Sequence, residues 1–446
     1  MNSRYLPHTD ADLQKMLQRI GTKSFDELIR YIPAELKKAR LTEPKPLSEP
    51  DLLERYRALS KPGEARVAFV GGGLYRHSVP CAVDALISRG ELFTAYTPYQ
   101  PEASQGTLQA IFEFQSMVAE LMALDVANAS MYDVASAAAE AVLMSMRVLK
   151  GRRRVLLSTA LHPDTVEVIR TYVEHMDVSL ETVALVDGCT DLKALESRLR
   201  DDVACVVVQS PNCLGQIEAV TEIARLTHVK GALAVVSVTE PTSLGLLRPP
   251  GACGADIAVG EGTGIGIPVS FGGPGLGMFA CKEVYLRQMP GRLVGEARDT
   301  DGRLGYVLTL STREQHIRRE KATSNICTNH GLCALSFTIH AALMGPKGLK
   351  QVAEQSAKRT RYLVNKLEAI GIKRRFKGPF YNEVVLDLDK KVQKAIDAGM
   401  KRSVVVGFDL GRWKGDWGGG LLVNVTEIHS KAKLDELVDI LKEVCK

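Results

Sequence analysis

Five short runs of almost wholly apolar residues, separated by segments of helical periodicity, constrain the fold of this 446-residue chain most strongly. Strands this apolar must be buried on both faces, and connections of helical length between them are typical of parallel strands. The sequence therefore predicts an α/β domain with a mainly parallel sheet that is covered by helices. The runs are RVLLS (154–158), TVALV (182–186), VACVVVQ (203–209), ALAVVSV (232–238) and DIAVG (256–260).

The segments on either side of these strands have different patterns. Two pairs near the start, Thr9 with Asp12 and Ser24 with Glu27, have the spacing of helix N-terminal caps, and they predict a helical arm that leads into a proline-rich strap. Near the other end, an amphipathic helix over about 347–370 and further short apolar runs predict a smaller α+β domain. We predict three parts: an arm and strap (1–62), a large α/β domain (63–335) and a C-terminal small domain (336–446).

Composition excludes several classes of protein. The sequence contains no run of about 18 apolar residues, so we expect no membrane span. The N-terminus lacks the unbroken apolar core of a signal peptide, so we expect no secretion. The nine cysteines form no Cys-x-x-Cys pair, which argues against a zinc knuckle and a disulfide framework and favours the cytoplasm. The net charge is only +5, and no basic run is interleaved with stacking aromatic residues, so we expect no nucleic-acid partner.

A glycine-rich segment, VGEGTGIGIPVSFGGPG (259–275), follows the last of the five strands. It contains neither G-x-G-x-x-G nor a Walker motif, and Pro268 stands where a following helix would begin, so we expect no nucleotide cofactor. The segment has one acid, one threonine and one serine, but no lysine, histidine or cysteine. It offers no metal ligand set and no amine.

Several stretches together resemble the P protein of the glycine cleavage system, specifically the N-terminal subunit of organisms that divide this protein into two chains. They run in a consistent order along most of the chain, and their combination is far more specific than any single motif. The most specific combination is TAYTPYQPEASQG (94–106) with SFGGPGLG (270–277) and SNICT (324–328), and GGGLYRHSVP (71–80) is a further matching stretch.

The resemblance implies a fold type I pyridoxal-phosphate (PLP) architecture, similar to that of aminotransferases. It also implies a function: with a PLP-bearing partner subunit, the protein decarboxylates glycine and passes the aminomethyl group to the lipoyl arm of the H protein. The two subunits would form a heterodimer or a dimer of heterodimers.

Two departures from the fold type I pattern concern the cofactor. Such enzymes hold PLP as a Schiff base on a lysine that follows a late strand of the large domain, yet no lysine occurs from Gly231 through Cys281. Where they carry an aspartate that pairs with the pyridine nitrogen, this chain has Val238, Thr239 and Glu240. We therefore expect no catalytic residue and no bound cofactor in this chain alone, although Glu240 could replace the aspartate.

The resemblance suggests instead that this chain contributes groups at the interface with the partner's active site. The YTPYQPEASQG segment presents aromatic and amide groups on a stiff path, Arg319 or Lys321 could complement an acidic carrier or a substrate carboxylate, and Cys327 could be a core residue or a redox-responsive thiol. The candidates are Arg76, His77, Tyr96, Tyr99, Gln100, Arg319, Lys321, Asn325 and Cys327.

Two other functions stay open at this point. The chain could be a catalytically inert scaffold or regulatory subunit with a PLP-type fold. It could also be a complete PLP enzyme that uses an unexpected lysine, such as Lys282 or Lys321.

Overall fold

The computed structural model describes residues 8–37, 45–60, 67–95, 97–326 and 328–445. The chain divides into two compact units, Met1–Glu64 and Ala65–Lys446. In the described residues the helices are α1 (Asp10–Ile20), α2 (Phe25–Leu28), α3 (Ala34–Lys37), α4 (Glu49–Ser60), α5 (Cys81–Ile87), α6 (Gly90–Phe93), α7 (Gln105–Met122), α8 (Val134–Val148), α9 (Pro163–Val173), α10 (Leu192–Arg198), α11 (Val220–Val229), α12 (Gln315–Arg318), α13 (Gly331–Ala369), α14 (Val392–Lys401) and α15 (Lys431–Cys445).

The strands belong to the second unit. They are β1 (Val67–Ala68), β2 (Val126–Ala127), β3 (Arg154–Ser158), β4 (Ser179–Val183), β5 (Leu185–Val186), β6 (Cys189–Thr190), β7 (Val203–Gln209), β8 (Leu233–Val238), β9 (Ile257–Glu261), β10 (Gly277–Cys281), β11 (Leu293–Arg298), β12 (Leu304–Thr309), β13 (Glu383–Asp387), β14 (Val404–Val405), β15 (Phe408–Asp409) and β16 (Gly420–Asn424).

The central sheet has seven strands in the order β2-β10-β9-β8-β7-β3-β4. Strands β4, β3, β7, β8 and β9 are parallel, and β10 runs antiparallel to both β9 and β2. Every residue of β3, β7, β8 and β9 is buried, as four of the five apolar runs predicted. The prediction is wrong for TVALV (182–186), which is divided between the end of edge strand β4 and β5 and is only partly buried. The predicted mainly parallel α/β sheet is confirmed.

Helices cover both faces of this sheet. On one face, α7 and α13 contribute Phe114 and Phe337, whose rings meet edge to face with their centroids 5.4 Å apart. On the other face, α8 lies almost wholly buried, and its run of small residues, Ala137–Ala138–Ala139, lets the backbone approach the sheet closely. The beginning of α8 is thereby fixed beside the carboxyl ends of the strands.

A second, antiparallel sheet in the order β13-β16-β15 packs with α13, α14 and α15 near the C-terminus. Helix α13 begins at Gly331, well before the predicted start near 347. The prediction missed the first half of the helix because that half is apolar on most sides and shows little amphipathic periodicity. Gly345 (φ 59°) and Pro346 interrupt the helix between its two halves. The predicted boundary at residue 335 therefore lies within this helix.

Helices α1 and α2 of the first unit begin at the predicted caps, but helix α4 lies where the sequence predicted a proline-rich strap, because Pro50 falls in the first turn of the helix, where proline is tolerated. Thr9 and Asp12 form a reciprocal capping box at α1, and Gly21 ends that helix in a left-handed conformation. Ser24 caps α2, whereas the Glu27 carboxylate accepts from Lys23 N rather than from the Ser24 backbone. No residue of α1 to α4 is buried.

No helix in the described part of the chain is long and apolar enough to cross a membrane.

Candidate functional site

A cavity of about 410 Å³ opens at the carboxyl edge of the parallel strands. Three neighbouring segments supply polar groups to its wall: His162 follows β3, Thr239 follows β8, and Glu261 ends β9. Ligands of open α/β sheets bind in the crevice outside the carboxyl ends of the strands. This cavity therefore occupies the place where such a fold carries its chemistry.

His162 is a fixed, neutral group in the cavity wall. Its Nε2 lies 2.9 Å from the carbonyl oxygen of Gly72, its Nδ1 accepts from Asp164 N, and its ring meets Trp413 edge-on with centroids 4.8 Å apart. Burial lowers the pKa of His162 below its ordinary value. The imidazole therefore supplies an aromatic face and no positive charge at neutral pH.

The N-terminus of α8 forms another part of the wall, and two carboxylates occupy it. Asp133 caps the helix: it accepts from Ser136 N at 2.7 Å, while Ser136 Oγ accepts from Asp133 N. Glu261 Oε2 accepts from Val134 N at 3.2 Å. A helix N-terminus favours negative charge, and here the chain itself supplies that charge.

We expect Asp133→Ala to lower the free energy of unfolding by about 1 kcal/mol, the usual value of an N-terminal cap. Asp133→Asn should retain most of that stability, because asparagine caps a helix as well as aspartate does. Urea denaturation followed by circular dichroism compares the two variants. Equal losses would show that the charge of Asp133, and not its hydrogen bond, stabilises the helix.

The cavity does not fit PLP. A Schiff base needs an amine, and the described residues that line the cavity include no lysine or arginine. The phosphate needs free donors, but Asp133 and Glu261 already hold amide donors at the start of α8. No group of three or more His, Cys, Asp or Glu side chains in the described ranges is arranged to hold a metal ion.

Glu240 is not available as a substitute for the pyridine-pairing aspartate. Its side chain is 1% exposed, and its Oε2 bonds to His77 Nε2 at 3.0 Å and accepts from Asn382 Nδ2 at 2.8 Å. Its other oxygen accepts from Thr242 N and Oγ1. The carboxylate is therefore fully used inside the protein.

The two alternative lysines do not replace the missing amine. Lys282 follows the end of antiparallel β10, so it lies at the amino edge of the parallel strands, where its Nζ binds Asp256 Oδ1 at 2.6 Å. Lys321 is exposed. Neither lysine lines the cavity.

His77 joins two carboxylates in the interior. Its Nδ1 lies 2.7 Å from Glu427 Oε2 and its Nε2 lies 3.0 Å from Glu240 Oε2, and its side chain is 3% exposed. Burial alone would lower the pKa of His77, but the two carboxylates outweigh burial and raise it to about 10. Next to this cluster, burial raises the pKa of Glu383 to about 8, although Gly72 N and Tyr75 OH donate to its carboxylate.

Tyr99 lies in a different and larger cavity of about 760 Å³ on the surface of the second unit. Its hydroxyl donates to Asn329 Oδ1 and lies 3.1 Å from Thr328 Oγ1, while the Arg292 guanidinium lies 4.0 Å from the centre of its ring. Asn329 is 7% exposed, and its Nδ2 has no hydrogen-bond partner among the described residues. The wall thus combines aromatic surface, a cation and an unused amide donor.

The structure distributes the predicted site residues over several places. Gln100 lines the Tyr99 cavity, Arg76 is exposed and directly follows Tyr75, His77 lies in the interior as described above, and the three remaining described candidates lie near α12. These exposed residues are Arg319, Lys321 and Asn325. Tyr96 and Cys327 lie outside the described residues.

Sequence reasoning missed most residues that define the two cavities. His162, Asp133, Arg292 and Asn329 stand alone in sequence, and only the fold brings them to a cavity wall. Glu261 did carry a signal, since it is the only acid in the glycine-rich segment 259–275.

The strand order, the single antiparallel strand β10 and the cavity at the carboxyl edge define the class as a fold type I PLP-dependent transferase architecture. A solved alanine–glyoxylate aminotransferase from Nostoc shares this fold, with a TM-score of 0.60 at 15% identity over 93% of this chain and 100% of that one. The fold class that the sequence predicted is confirmed.

The chain belongs to the glycine cleavage system P-protein family, whose model matches residues 3–441. A relative from Geobacillus kaustophilus, described as "Probable glycine dehydrogenase (decarboxylating) subunit 1", is 48% identical over 99% of both chains. A crystal structure of glycine decarboxylase (P-protein) of the glycine cleavage system, in inhibitor-bound form, is 44% identical and matches with a TM-score of 0.87 over 99% of this chain and 100% of that chain. The predicted family is confirmed.

Proposed function

We propose that this chain is subunit 1 of a glycine dehydrogenase (decarboxylating) and acts with a second subunit that carries PLP. Relatives that match it over their whole length bear that name, and the name implies a partner subunit. The observation that supports a separate cofactor-bearing subunit is the cavity at the carboxyl edge. Its described lining residues include no amine, and two of its carboxylates occupy the donors that a phosphate would need. The partner would supply the cofactor, and the lipoyl group of the H protein would accept the aminomethyl group.

The Tyr99 cavity is our proposed contact with the partner's active site. Its wall offers the exposed polar side chains of Gln100 and Thr328, together with the Nδ2 of Asn329, which has no hydrogen-bond partner among the described residues. A buried donor without a partner costs about 1 to 3 kcal/mol. An occupant that accepts from Asn329 recovers that energy.

Reconstitution tests the assignment. This chain, a candidate second subunit and a lipoylated carrier protein are combined, and exchange of labelled bicarbonate into glycine is measured. We expect exchange only when both subunits are present, and we expect borohydride to attach the cofactor to the second subunit alone. Full exchange by the second subunit without this chain would favour the scaffold or regulatory role instead.

We expect Tyr99→Phe to lower the exchange rate of the reconstituted complex roughly two- to twelvefold, because one hydrogen bond contributes about 0.5 to 1.5 kcal/mol. Gln100→Ala should act in the same direction. Copurification of the two subunits should not change in either variant. Tyr172→Phe, on helix α9, is the matched control, and a loss of equal size in this variant would remove Tyr99 from the active-site surface.

We also propose the cytoplasm as the site of action. The cysteines that the structure describes are all free thiols, which suits a reducing compartment.

A further inference from the structure

The corner between β9 and α8 holds the most tightly fixed carboxylate of the cavity. Glu261 is 3% exposed. Its Oε1 accepts from Leu276 N at 2.8 Å and from Thr263 N at 3.3 Å, and its Oε2 accepts from Val134 N at 3.2 Å. Backbone amides from three separate segments thus converge on one side chain.

These contacts are those of an anion. All three partners are N–H donors, so both oxygens act as acceptors, as the two oxygens of a carboxylate do. One of the donors belongs to the first residue of a fifteen-residue helix, where the helix dipole adds to the attraction. The pKa of Glu261 is raised above its ordinary value, because burial, together with the nearby charge of Asp133, outweighs the three amides that favour the charged form.

The packing leaves this carboxylate little freedom. Gly275 lies against it so closely that a Cβ at that position would be 3.4 Å from Glu261 Oε2, 2.9 Å from Asp133 Cβ and 3.0 Å from Tyr132 O. The same corner faces the cavity through Asp133, Glu261 and Gly275. An external anion could reach these amides only if the Glu261 side chain were absent.

We propose that the Glu261 carboxylate occupies the backbone amides of Val134, Thr263 and Leu276, which would otherwise be able to bind a phosphate. It thereby closes this chain's cavity to phosphate-bearing cofactors. The loss of the cofactor site then has two parts: the amine is missing, and the place for the phosphate is filled by the protein itself. Restoring a lysine alone does not restore cofactor binding. Removing the Glu261 carboxylate exposes the amides of Val134, Thr263 and Leu276 to a phosphate.

The inference deepens the proposed function and rests on it only for the identity of the absent cofactor. Binding of phosphate to this chain is measured without a partner subunit and without glycine. If the reconstituted complex shows no exchange, the phosphate measurement still tests the role of Glu261. If the variant does not bind phosphate, the exchange assay still tests the proposed function.

The test compares full-length wild-type protein with Glu261→Ala, using inorganic phosphate as the probe in isothermal titration and thermal unfolding at constant ionic strength. We expect the variant to bind phosphate at least about tenfold more tightly than the wild type, a difference of about 1.4 kcal/mol. Its Tm should rise with phosphate concentration and not with chloride, because a ligand that binds only the folded state stabilises it. The same variant should bind pyridoxal phosphate without a covalent bond.

Two controls sharpen the outcome. Asp164→Ala removes an exposed carboxylate from the same cavity but leaves Glu261 in place, so it should gain no phosphate binding. Glu261→Gln keeps the side-chain volume, so it should also leave phosphate binding weak. If Glu261→Ala does not fold in chloride, its refolding yield is compared in phosphate and chloride, and phosphate should restore folding.

Saturable binding of phosphate to the wild-type cavity would overturn the proposal. So would a folded Glu261→Ala variant that gains no affinity, or equal refolding yields in the two salts.

Discussion

Gly215→Ala is expected to destabilise the second unit by roughly 3 to 5 kcal/mol, the sum of backbone strain and overpacking. Gly215 has a φ of 76°, and a Cβ at this position would lie 2.2 Å from the carbonyl oxygen of Glu383. That oxygen belongs to strand β13 of the C-terminal sheet, so relief of the contact must move either this strand or the loop that contains Gly215. Urea denaturation of the full chain, followed by circular dichroism, measures the loss.

Gly371→Ala separates the two causes. Gly371 has a similar φ of 87°, but a Cβ there would meet no atom within 4 Å. We therefore expect only the strain of a left-handed residue, about 1 to 2 kcal/mol. If both variants lost the same free energy, the close approach to β13 would contribute nothing.

His77→Ala is the second large effect that we expect, about 3 to 5 kcal/mol, because it leaves the buried Glu240 and the partly buried Glu427 carboxylates without their shared cation. Glu240 would keep Asn382 as a donor, and Glu427 would keep Ser78 N, but neither donor carries a charge. His175→Ala is the control, since that side chain is 92% exposed. A loss no larger than that of the control would show that the buried cluster contributes little.

The pH dependence of this effect has a definite sign. The pKa of His77 is raised from 6.5 to about 10 in the folded protein, so its contribution is fully present below about pH 6.5 and is lost as the pH rises through 10. The difference in stability between wild type and His77→Ala should therefore shrink between these two values. Unfolding curves at several pH values measure it, and a difference that grew with pH would contradict the assignment.

Local sequence patterns correctly predicted the elements whose burial does not depend on which residues pack against them. The runs of valine in β7 and β8 are buried on both faces whatever their neighbours are, so their sequence alone was sufficient. The first half of α13 was missed because a helix that is apolar on most sides lacks the period on which the prediction depends. In β7 and β8 a continuous apolar run was thus enough to predict a buried strand, but a helix that is apolar on most sides could not be predicted because it lacks helical periodicity.

From the sequence we could predict that the Schiff-base lysine is missing, but not which residues line the cavities. The missing lysine was visible in the sequence, whereas the contacts of His77 lie 163 and 350 residues away along the chain, at Glu240 and Glu427. The sequence suggested His77 as an interface group, and the structure gives it buried partners within its own chain. Glu261 was visible as a lone acid, but its amide partners required the fold.

The pairing of β1 with β14 has a consequence for biosynthesis. Val67 and Ala68 pair with Val404 and Val405, and Tyr75 donates to Glu383, so the first residues of the second unit find their partners only near the end of the chain. At about 5 to 20 residues per second, a ribosome needs on the order of tens of seconds to make the intervening segment. During that interval the apolar start of the unit has no native strand to join, and chaperones that shield such segments should raise the yield of this protein.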